Sequence, residues 1–200
     1  TVIPEDAGIS FEQDNPVAVK VAKSGGNSGA FSLQVYVWEY FEQYISPGDI
    51  NLADVMISLA PVGPGSVIQP TLCVSNLDET GSSPMLLVTC NFDQVPVNAY
   101  TVQVTINGGY YEGSGEDVLV VYDPSLGFAS GGGWFYWPGT ENTHNGELGN
   151  RTNFGFTMKY NSKRTQVQGN MLLISHLADG TIYRIKSNVL YGLAIGESRD

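Results

Sequence analysis

Residues 99–122 read AYTVQVTINGGYYEGSGEDVLVVY, and this stretch decides the fold class. Tyr100, Val102, Val104 and Ile106 alternate with Thr101, Gln103 and Thr105. A period of two puts the first set on a buried face and the second on a solvated one, as in a strand. NGG at 107–109 and GSG at 113–115 punctuate the chain as glycine-rich turns do. DVLVVY at 117–122 then reads as a second strand.

Working back from there, strands are expected at 17–23, 31–38, 53–60, 67–75 and 85–92. SGGNSG at 24–29, SPGD at 46–49 and PVGPG at 61–65 separate them. Seven short strands with frequent turns predict an immunoglobulin-like sandwich. Tyr100 follows a Pro-Val-Asn turn, where such sandwiches often keep a corner tyrosine, although an ordinary core tyrosine fits equally well.

Asp123-Pro124-Ser125-Leu126-Gly127 stops the pattern and redirects the chain. The expected domains are therefore a sandwich over 1–123 and a smaller β domain over 124–200. The second offers four strands, at 128–137, 153–160, 168–176 and 181–187, the last two joined by a hairpin turn at Leu177–Thr181. One more apolar patch runs from Val189 to Ile195. Four strands make a thin, incomplete core. It is completed by packing on its neighbour, by further chain, or by a strand from another molecule.

Composition supports the all-β reading. Of 200 residues 42% are hydrophobic, which excludes a disordered chain, yet only 14% are charged. Long amphipathic helices need more charge than that on their solvent faces. The near-apolar stretches, of about eight residues, are too short to cross a bilayer as helices. No signal peptide, lipidation box or sorting signal is present, so the chain reads as a mature or excised piece.

Charge is unevenly spread. Residues 1–123 hold two basic and fifteen acidic residues, a net of −13, and the remainder seven and five, a net of +2. Nothing basic lies between Lys23 and Arg151. An acidic module of this size repels nucleic acid phosphates, so nucleic acid is not an expected partner. Such a surface also serves simply to keep an extracellular protein soluble.

Cys73 and Cys90 lie in adjacent expected strands, symmetric about a turn near Gly81. A disulfide between them would stabilise by about 3 kcal/mol in the chain-entropy model and implies an oxidising compartment. Two buried thiols are the alternative. Neither belongs to a CxxC pair, so zinc and dithiol redox chemistry have no support.

GGG at 131–133, NFGF at 153–156, QGN at 168–170 and KSN at 186–188 recur in that order within residues 117–196. In this the chain resembles the post-COAP domain of large bacterial and archaeal secreted surface proteins, which follows immunoglobulin-like or PKD-type repeats. The resemblance implies an extracellular β-rich structural or adhesive role and brings no catalytic residues. Members are expected to continue through further strands past Gly196, where this chain soon stops.

Catalysis finds little footing. His144 sits in a polar loop and His176 ends a strand, and neither adjoins a nucleophile motif. A structural or solvated role suits both. Trp134-Phe135-Tyr136-Trp137 is the most informative quartet. In a strand, Trp134 and Tyr136 face one way and Phe135 and Trp137 the other, so one pair fills a core and the other meets a module, a chain, a sugar or water. Asn150-Arg151-Thr152 is the one glycosylation sequon, making Asn150 the candidate acceptor. Acids gather at Glu5-Asp6, Asp49, Asp54, Asp78-Glu79, Glu116-Asp117 and Asp123, the hard oxygen ligands that calcium favours, though without a D-x-D-x-D-G loop. Solvated acids account for them as well, and no other cofactor is expected.

The reading is therefore a non-catalytic extracellular structural or adhesive module at the cell surface, not an enzyme. Its expected partners are copies of itself or neighbouring modules, assembled head to tail into a filament or layer through strand complementation. A carbohydrate-binding module of a secreted enzyme is the alternative. Neither reading calls for membrane insertion.

Overall fold

The computed structural model describes residues 4–40, 48–63, 65–79, 84–108, 110–123, 129–138, 149–161, 163, 165–177, 179–187 and 189–190. The Pro124–Gly127 break, His144, the turn at Gly81 and residues 191–196 lie outside them.

The chain is all-β. β1 (Glu5–Phe11), β2 (Ala18–Lys20), β3 (Phe31–Glu39), β4 (Val55–Pro61), β5 (Leu72–Asp78), β6 (Met85–Phe92), β7 (Asn98–Gly108) and β8 (Tyr111–Tyr122) form one curled sheet. β9 (Ala129–Tyr136), β10 (Arg151–Tyr160), β11 (Val167–His176) and β12 (Ile182–Lys186) form a second, in the order β12-β11-β10-β9. A 3₁₀ turn at Ile50–Leu52 is the only helical element among the described residues.

The larger sheet folds on itself as an immunoglobulin-like sandwich. β1, β3, β6 and β5 make one layer, and β4, β7 and β8 the other. This is the constant-type division of seven strands with the first strand split. β1 pairs antiparallel with β3, whereas β2 pairs parallel with β8. Inward residues of both layers make the main core: Leu33, Val35 and Val37, Ile57 and Leu59, Val88 and Phe92, Tyr100, Val102, Val104 and Ile106, and Leu119 and Val121. Tyr100, Val102, Val104 and Ile106 are buried as the period-two reading of β7 expects, but Thr101 is not solvated: it and Ala99 are buried too, because β10 and β11 pack on the outward face of this half of the strand. The Tyr100 hydroxyl donates to the Pro96 carbonyl at 2.9 Å, which makes it the corner tyrosine. Cys73 and Cys90 form a disulfide between directly opposed residues of β5 and β6.

Two local expectations differ from what is observed. β1 has no counterpart in the sequence reading, because Glu5, Asp6 and Gly8 dilute the alternation of Ala7, Ile9 and Phe11. GSG at 113–115 is not a turn but part of β8. A Cβ at Gly113 would stand 2.7 Å from the Ala7 carbonyl oxygen, and one at Gly115 would stand 3.2 Å from Ile9. These glycines admit β1 against β8.

The second sheet lies on the outward face of β8. Val118, Leu119, Val120 and Val121 are all buried, so β8 is covered on both faces. Val118 packs with Leu172 and Ile174, flanked by Val62 and Ile182. Gly155 lies against β8, where a Cβ would overlap both Val118 and Val120. Phe154 and Phe156 pair with Gly133 and Gly131 and lie over them, within 3.1–3.3 Å of where a Cβ would stand, so that GGG makes room for two rings.

Candidate functional site

Where the two sheets meet, a cleft of about 340 Å³ opens between β1, β3, β8, β10 and β11. Ile9, Phe11 and Tyr36 give it an apolar side, and Asp117, Arg151, Asn153 and His176 a polar one. This convergence was not legible in the linear sequence, since the four polar residues come from three strands as far apart as positions 117 and 176.

Each polar group is engaged within the chain. The Asp117 carboxylate accepts from the Val118 backbone N–H at 2.6 Å and from the Asn153 amide. The Arg151 Nε–H donates to Asn153 Oδ1 at 3.2 Å, and its guanidinium lies 5.4 Å from the centre of the Trp134 ring. The His176 Nε2 is bonded to the Glu116 carbonyl at 2.5 Å, and its ring packs 6.2 Å from Phe11. Beside them the Glu116 carboxylate pairs with Arg184.

Burial dominates the electrostatics. It raises the Asp117 carboxyl above the usual carboxylate range, against the lowering effect of the Val118 and Asn153 hydrogen bonds. It lowers His176 below the usual imidazole value, against the attraction of Asp117. Both groups are pulled toward their neutral forms. An acid–base pair is present, with Ser10 on the same cleft wall, but no hydrogen bond joins a nucleophile to His176 among the described residues.

The aromatic quartet divides as a strand requires. Trp134 and Tyr136 stand edge to face 5.2 Å apart and are 49% and 62% exposed. Phe135 and Trp137 lie together on the other face, with Phe135 6.2 Å from Phe154. Asn150 is half-buried, and its carbonyl accepts from the Trp137 N–H at 2.8 Å.

Several acids grouped as calcium candidates have other partners. Asp49 caps the 3₁₀ turn by accepting from the Asn51 N–H, Asp123 accepts from the Gly25 N–H, and Glu116 and Asp117 hold the second sheet. Among the described residues, no three His, Cys, Asp or Glu side chains come close enough to share a metal ion. No described helix is long and apolar enough to cross a membrane.

Fold and site together define an immunoglobulin-like sandwich bearing a docked four-stranded sheet. Neither the known protein-family models nor the curated proteins give a match to this sequence.

Proposed function

We propose that the chain is a non-catalytic structural or adhesive module of a secreted surface protein, working outside the cell and associating with copies of itself. The observation that carries this reading is the use made of the ionisable groups between the sheets. Glu116 is spent on Arg184, Asp117 on the Asn153 amide and His176 on the Glu116 carbonyl, so these act as rivets, while Arg151 is held within the second sheet by Asn153 and Trp134. The Cys73–Cys90 bond suits an oxidising compartment. The resemblance of residues 117–196 to the post-COAP domain points the same way, and the −13/+2 division favours head-to-tail attraction between copies. Size-exclusion chromatography with light scattering at low and high salt tests it. Assembly at low salt that dissolves at high salt is expected, and a monomer under both conditions contradicts the reading.

The exposed Trp134–Tyr136 pair favours carbohydrate binding as a second reading, because sugar rings stack on such faces. Polysaccharide titration of wild type and Trp134→Ala decides it. Binding that disappears in the variant supports the sugar reading, and no binding by wild type removes it.

A further inference from the structure

Among the described residues the second sheet ends at β12 and leaves part of the outward face of the sandwich uncovered. Beyond β12 lies a groove of about 500 Å³, floored by Ser58, Gln103 and Thr105 and walled by Ile182 and Arg184. Met56, on β4, is 57% exposed. One more strand on β12 would continue the sheet across this groove.

The backbone is set to receive it. At one end of the β11–β12 ladder Ser187 N–H donates to the Met171 carbonyl, and at the other Leu177 N–H donates to the Thr181 carbonyl, both at 2.9 Å. Bonded and non-bonded pairs alternate in an antiparallel ladder. Ile182, Arg184 and Lys186 therefore turn their backbone N–H and C=O groups away from β11, toward the groove.

β5 is the matching edge. Among the described residues it is the outermost strand of its layer, and Leu72–Leu77 are all exposed. Leu72 is 57% and Val74 47% exposed, as Ile185 on β12 is 58% exposed. The Cα atoms of Cys73 and Cys90 are 4.1 Å apart, the spacing of a non-bonded pair. Cys73, Ser75 and Leu77 accordingly turn their backbone groups outward, three residues facing three. The disulfide ties this exposed strand to β6. The other long edge of the sandwich, β4, is partly occupied, since Leu59 and Ile68 exchange backbone hydrogen bonds at 2.9 Å.

Charge selects the pairing. β5 runs into Asp78-Glu79, within a span from Ser24 to Asn150 that holds no Lys or Arg, whereas β12 carries Lys186 beside Arg184, the latter already paired with Glu116 of its own chain. The two edges belong to different sheets of one molecule, so they meet only between molecules. We propose that β12 of one copy takes β5 of the next by strand addition, a heterologous contact that propagates as a filament. The proposal rests on the self-assembly reading above and names the surfaces that perform it.

Ser75→Pro removes an outward N–H from β5, and Lys186→Pro does the same to β12, without touching either internal ladder. Sedimentation velocity over a concentration series should show wild type growing in mass and each variant remaining monomeric. An equimolar mixture of the two should give a dimer of twice the monomer mass and nothing larger, because one working edge of each kind remains. Val74→Lys and Ile185→Asp, at exposed side chains, repeat the test should either proline variant lose its circular dichroism spectrum. Monomeric wild type overturns both assembly and this pairing. Wild type that assembles together with variants that still assemble overturns the pairing alone, as does a mixture that stays monomeric.

Discussion

Tyr100 shows how much a single position carries. Its ring fills the sandwich core and its hydroxyl fastens the turn before β7 to the Pro96 carbonyl. Tyr100→Phe keeps the ring and loses the bond, and urea unfolding should report a loss of about 1 kcal/mol. Burial pushes the Tyr100 phenol up to about 12. A group whose folded value is raised contributes stability in full below its unfolded value, near 10, and loses that contribution as pH rises through the folded one. Stability should therefore decline from about pH 10 upward, and Tyr100→Phe should flatten part of that decline. Tyr111, raised chiefly by burial and then by its hydrogen bond to Glu39, contributes in the same direction.

At the scale of elements, β8 is the hinge of the whole construction. It closes the sandwich on one face and seats the second sheet on the other, where Gly155 lets β10 approach. Gly155→Ala should cost about 1–3 kcal/mol by overpacking. Near-ultraviolet circular dichroism should show the loss in the second sheet while the sandwich persists; an unchanged spectrum and stability would contradict this contact. Most strands were legible in the sequence, because β3, β4 and β6 each alternate against one core, and β7 does so in its second half. β1 was not, since its two acids and a glycine hide a strand that is only half covered. The docking of the second sheet left one readable trace. Val118-Leu119-Val120-Val121 is apolar without alternation, which is what a strand buried on both faces requires. The cluster around Asp117 left none, because its members meet only after β10 and β11 fold back on β8.

For the whole molecule, polar groups buried at the seam bind sheet to sheet, Asp117 to Asn153 and Glu116 to His176 and Arg184. The second sheet has little core of its own, Leu172 and Ile174 resting on Val118 of the sandwich, so its stability leans on the polar contacts at the same seam. The three tryptophans allow the parts to be followed separately, with Trp38 in the sandwich and Trp134 and Trp137 in or beside β9. The most direct test is fluorescence-monitored urea unfolding of Asp117→Ala in a Trp38→Phe background, paired with the same change where only Trp38 remains. Asp117→Ala leaves the Val118 N–H and the Asn153 amide without their acceptor, which costs about 1–3 kcal/mol. The Trp134 and Trp137 transition should move to markedly lower urea while the Trp38 transition hardly moves. A second-sheet transition that stays where it was would show that the Asp117–Asn153 contact does not hold the second sheet to the sandwich.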